Sequence, residues 1–235
     1  MFKDLLSIYT PAESLPKEYP ERHMNLLKNE LRHEWNIFNN IDNIHIYEVI
    51  TTICKDKFNY NSNLFVNPVG IKEKFDNEYL MDHLLLVTNS WEDFVASLKC
   101  TNRFHSNYLN LNLFERFCSF ISKSYHVNQL FYRCRISPDI GIPIDKMGAA
   151  PMELTVDGRA NAKGIRCLYI ADSIETSIDE TRPRVHDFVS VGKFKLLEDI
   201  TVVDLKKINR ISPFIQGMDI LEYSINKDHL NKINA

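Results

Sequence analysis

Between Phe131 and Asp204 the chain carries residue types that, gathered at one place, could cleave a glycosidic bond in a phosphorylated ligand. Arg133 and Arg135 lie in the run Leu130–Ile136. A guanidinium grips phosphate through paired donors and stays charged at any working pH. In a strand these two share a face. They repel each other there unless an anion or acid lies between them; alone, each also reads as an ordinary surface ion pair. Arg159 sits in Gly158-Arg159-Ala160-Asn161-Ala162-Lys163-Gly164. The glycines permit a tight loop whose amides can approach a ligand, or a simple turn. The spacing matches neither a P-loop nor a dinucleotide fingerprint. Tyr169, in Leu168-Tyr169-Ile170-Ala171, could stack on a flat ring or serve as a core tyrosine. Glu180 could stabilise the positive charge that builds on a sugar as such a bond breaks. At a helix end it opposes the macrodipole, so it reads equally as half of an ion pair with Arg182. His105 and His186 show no metal spacing, and Ser173 and Ser177 lack an adjacent base.

The elements that must position these residues follow from pattern. Leu130–Ile136, Cys167–Ala171, Phe188–Phe194 and Thr201–Leu205 read as strands. Asp172, with Glu175 as capping-box partner, predicts a helix running through Glu180 and ended by Pro183. Upstream the chain reads mainly helical. Leu27, Leu31, Trp35 and Phe38 give one apolar face; Trp91, Phe94, Val95 and Leu98 give another, behind a capping Ser90. Leu113, Phe114, Phe117, Phe120 and Ile121 form a third stripe, and all three are core rather than ligand faces. The segment from Lys55 to Asn77 reads as a loop with one strand. The texture changes near Asn128. The expected class is α+β, with a helical unit over 1–128 and a strand-bearing unit over 129–235.

Composition narrows the function. With 235 residues, 44% hydrophobic and 11% aromatic, the chain can bury a sizeable core. A net charge of −3 argues against a broad nucleic-acid-binding surface but permits a local basic pocket. No apolar run approaches the ~18 residues of a membrane helix, and the N-terminus lacks a signal peptide's order. The five cysteines are odd in number and lack a Cys-x-x-Cys pair. They suit a reduced, cytoplasmic setting rather than a disulfide or zinc framework.

The motifs, taken in order, resemble the RES domain family. The carriers are Tyr132-Arg133, Gly158-Arg159-Ala160-Asn161, Gly164, Leu168-Tyr169-Ile170-Ala171 and Thr176-Ser177-Ile178-Asp179-Glu180. Leu31 to Asn39, Trp91 to Asn107 and Met147 to Pro151 resemble longer members with a helical, HEPN-like N-terminal region. The resemblance implies a fold similar to ADP-ribosyltransferase toxins and consumption of NAD+ in a bacterial toxin–antitoxin or defence setting. Arg133 would hold the diphosphate, Tyr169 the ring and Glu180 the developing cation. Arg135 and Arg159 would line the same cleft, and a cognate antitoxin protein is the implied partner. Neither nucleic acid nor membrane is an expected partner. Small departures are Ala162 where the family has proline, Ser177 where it has alanine, and Thr181 where it has valine. The family pattern also continues past the position of Ala235 and begins before Met1, so the chain reads as shortened at both ends. A catalytically inactive relative that binds NAD+ or a protein partner is therefore the alternative expectation. A HEPN-type ribonuclease is disfavoured, because no arginine is followed by histidine five positions on.

Overall fold

The computed structural model describes residues 2–38, 40–87, 90–100, 108–158 and 161–233. Helices and small antiparallel sheets make an α+β chain. It divides into two compact units. One comprises Met1–Ser122 with Val203–Ala235, the other Lys123–Val202. The segment after Val203 thus belongs with the helical residues, whereas the sequence reading grouped it with 129–202.

In the first unit the apolar stripes are buried in part: Phe94 is buried, Phe38, Trp91, Val95, Phe114 and Phe120 are half-buried, and the Leu98 side chain lies outside the described residues. Leu27, Leu31 and Trp35 are buried, as are Leu113, Phe117 and Ile121. The stripe on Leu27 begins as a short α-helix, Leu27–Asn29, and widens into a π-helix over Glu30–Glu34. Trp35 N–H bonds to Glu30 O at 3.0 Å, five residues back. This wider turn keeps a repeat of four on one face. Ser90 Oγ caps the helix Trp91–Cys100 by accepting from Asp93 N at 3.0 Å. The segment from Lys55 is not a loop. It folds as helices Lys55–Tyr60 and Asn63–Val66, then strand Pro68–Gly70 and the 3-10 turn Lys72–Phe75. Helices of four to six residues leave too short a record for periodicity to register. Strands β1 (Thr10–Pro11) and β2 (Asn25–Leu26) flank β3 (Pro68–Gly70) in an antiparallel sheet.

The second unit is built on paired strands. β5 (Leu130–Ser137) pairs antiparallel with β6 (Phe188–Lys195), Leu130 opposite Lys195 and Ser137 opposite Phe188. β4 (Ser122–Tyr125) pairs with β7 (Ile200–Val203). Between the two pairings, Asn128 N bonds to Leu196 O at 3.0 Å and Leu196 N to Gln129 O at 2.9 Å. Asp199 staples the same turn by accepting from Val127 N and His126 Nδ1.

The expected strand Cys167–Ala171 does not form. Among the described residues the segment shows a single strand bridge, at Ala171, which exchanges two 2.8 Å bonds with Tyr132. The next outward-facing backbone groups of β5 belong to Cys134. They are taken by side chains of the helix Ile174–Thr181: Ser177 Oγ accepts from Cys134 N at 2.8 Å, and Thr181 Oγ1 donates to Cys134 O at 3.2 Å. Two hydroxyls fill the edge where a strand would sit, which satisfies the backbone without a ladder. The helix cap is Ser173, not Asp172; Ser173 Oγ accepts from Thr176 N at 3.0 Å. The Ala171 bridge holds the chain extended, and helical geometry starts only after Ser173.

Candidate functional site

Arg133 and Arg135 project from one face of β5, opposite Gly192 and Ser190 of β6. The segment 138–150 folds over that face. Ser190 Oγ accepts from Ile142 N at 2.9 Å. Met147 is buried against Gly192, where an added Cβ would meet Met147 Cε at 2.8 Å. Both guanidiniums reach the segment's carbonyls: Arg133 Nη1 donates to Gly148 O at 2.7 Å and Arg135 Nη1 to Lys146 O at 2.8 Å. Burial, and next the neighbouring Arg135 charge, push the Arg133 pKa below the usual arginine value. Neither arginine has a carboxylate partner among the described residues. The repulsion expected from the sequence is thus met by neutral carbonyl dipoles rather than by an acid.

Tyr169 is half exposed, and its hydroxyl donates to Asn161 Oδ1 at 2.5 Å. Asn161 is buried. Its amide donates to Val156 O at 3.0 Å and Ala162 O at 3.1 Å, which fixes the orientation of its oxygen. Gly158 N donates to Asn161 O at 2.9 Å. A Cβ at Gly158 would lie 2.6 Å from both the Tyr169 hydroxyl and Asn161 Oδ1. The glycine is therefore required by a side-chain contact, not by its backbone angle. Arg159 lies outside the described residues.

Glu180 is exposed near the C-terminal end of the helix Ile174–Thr181. Ser177 and Thr181 of that helix hold the backbone of Cys134, the residue between Arg133 and Arg135. The carboxylate-bearing helix is thereby fixed to the strand that bears the two arginines. Arg182 ends the helix in the left-handed region, at φ 50°.

An arginine-bearing strand, a glycine-framed loop ending on a tyrosine, and a docked acidic helix therefore belong to one compact unit. Residues 131–222 match the family model of the RES domain. At family level this associates the segment with NAD+-related, toxin-type function. No curated protein matches the chain, and no solved structure does. The matched segment takes in both arginines, Gly158, Asn161, Tyr169 and Glu180, and runs on into 203–222 of the helical unit.

Three contributors to this arrangement were not singled out from sequence. Asn161 orients the tyrosine; the motif Gly158-Arg159-Ala160-Asn161 includes it without giving it that role. Ser177, set aside as a nucleophile, ties the helix to the strand. Arg166 donates through Nε to Ala150 O at 2.9 Å and through Nη2 to Ala149 O at 3.1 Å. It lies outside the strand run and the glycine loop, and no spacing marks it.

Proposed function

We propose that the RES segment binds NAD+ and cleaves its nicotinamide–ribose bond. The observation that carries this reading is the family match over 131–222, within which Arg133 and Arg135 present charge with no carboxylate partner among the described residues. In this reading Arg133 and Arg135 hold the diphosphate, with Arg159 lining the same cleft. Tyr169 offers its half-exposed ring to nicotinamide. Glu180 faces the ribose, where cleavage builds oxocarbenium character. The C1′–N bond breaks, nicotinamide leaves as a neutral molecule with the bonding electron pair, and an acceptor adds to C1′. Water, phosphate or a protein side chain can be that acceptor, giving hydrolysis, phosphorolysis or ADP-ribosyl transfer. The similarity to ADP-ribosyltransferases, the toxin–antitoxin setting and a protein antitoxin that covers the cleft belong to the same proposal and rest on the family.

The test is purified full chain with NAD+, read by released nicotinamide and, separately, by NAD+ binding. Arg133→Ala is expected to weaken binding. Glu180→Gln is expected to lower turnover by roughly 10²-fold, about 3 kcal/mol of transition-state stabilisation, with binding retained. Wild-type binding without nicotinamide release would assign the segment to binding alone.

A further inference from the structure

The geometry points to Arg166 as a third cation of one diphosphate subsite, organised with Arg133 and Arg135 around the turn 146–150. This rests on the NAD+ reading and extends it to a residue outside the family motifs set out above. Arg135 takes Lys146 O, Arg133 takes Gly148 O, and Arg166 takes Ala149 O and Ala150 O. Gly148 and Ala149 are adjacent, with Cα atoms ~3.8 Å apart, so Arg133 and Arg166 bond to the carbonyls of consecutive residues. The turn is itself fixed, by buried Met147 and by the Ile142–Ser190 bond.

Each guanidinium has five donors. Among the described residues Arg133 and Arg135 each use one and Arg166 uses two, all on uncharged carbonyls. None of the three has an ion-pair partner among the described residues. Three cations gathered on five consecutive residues of backbone, with donors left over and no acid between them, suit a ligand that carries more than one negative charge. A diphosphate fits: its oxygens can take paired donors from more than one arginine at once. The carbonyl bonds hold the guanidiniums in place before the ligand arrives, which lowers the ordering cost of binding.

The experiment measures inorganic pyrophosphate binding by calorimetry, at low and high salt, on the full chain and two variants. Arg166→Gln keeps N–H donors for the turn but loses the charge. Arg166→Lys keeps the charge. Wild type is expected to bind pyrophosphate, the glutamine variant about ten-fold more weakly, and the lysine variant in between. The gap between wild type and glutamine should narrow at high salt as charge is screened. Equal affinity of wild type and Arg166→Gln reduces Arg166 to a tie for the turn and overturns the inference, as does absence of pyrophosphate binding to wild type. If the glutamine variant does not fold, the lysine variant decides: affinity below one-hundredth of wild type would show that charge is not what Arg166 supplies. Nicotinamide release whose KM is unchanged in Arg166→Gln leaves the NAD+ reading standing and removes this inference. Arg166-dependent pyrophosphate binding with no NAD+ cleavage does the reverse.

Discussion

Cys134 is the residue on which the candidate site turns, although it does no chemistry. Its side chain is buried, its neighbours Arg133 and Arg135 point the other way, and its backbone N–H and C=O hold the acidic helix through Ser177 and Thr181. Removing the Ser177 hydroxyl leaves a buried N–H without a partner, which costs roughly 1–3 kcal/mol. Ser177→Ala is therefore expected to lower the chemical-denaturation stability of the chain by that amount; an unchanged midpoint would show that the hydroxyl does not hold the helix. The shared face of Arg133 and Arg135 was readable from strand alternation alone. Ser177 was not, because a helical serine has many uses and its partner lies 43 residues away. Nor was Asn161, whose role appears only once Tyr169 is folded against it.

At the scale of elements, strands β5 and β6 were legible because β-branched and aromatic residues concentrate there. The segment 167–171 has the same composition, yet side-chain hydroxyls claim the strand edge beyond Ala171, and composition carries no record of that competition. The helix Ile220–Ile233 went unread for the opposite reason. Polar residues that would mark a solvent face are buried in it: Glu222 pairs with Arg116, and Asn226 accepts from Leu85 N at 2.6 Å and donates to His83 O at 2.8 Å. Buried polar groups are tolerated when partnered, and partners from distant segments erase the helical stripe. The helix that carries Glu180 ends on Arg182 in a left-handed conformation, which glycine adopts without the steric penalty of a Cβ. Arg182→Gly is expected to raise stability by about 0.5–1 kcal/mol in thermal melts. A fall in melting temperature would mean that the arginine side chain supports the helix end by more than that strain.

For the molecule as a whole, the stability of the helical unit should depend on pH through Glu30. Burial, and to a smaller extent Glu34, raise its carboxyl pKa above the usual value, against the bond it accepts from the Tyr9 hydroxyl at 3.2 Å. A carboxyl whose folded pKa is raised favours the folded state while protonated. That contribution is present below the unfolded value, ~4.3, and is lost as pH rises through the raised one. Glu30→Gln keeps an acceptor for Tyr9 and removes the partly buried charge. Its melting temperature should exceed wild type at pH 7, with the gap closing toward pH 4; a constant gap would place its origin elsewhere. The sequence sets a change of texture near Asn128, whereas the two compact units divide after Ser122 and after Val202. The return of the chain after Val203 to the helical unit was not legible, because Ile208 and Ile211 reveal their burial only through residues far upstream. The proposed function rests on cleavage of the nicotinamide–ribose bond by the segment 131–222, with Glu180 supporting the transition state. Nicotinamide release from NAD+ by the purified chain and by Glu180→Gln tests it most directly. Release by wild type is expected, with a roughly 10²-fold slower rate in the variant and NAD+ affinity preserved. Equal rates for the two proteins, or no release from wild type, would contradict it.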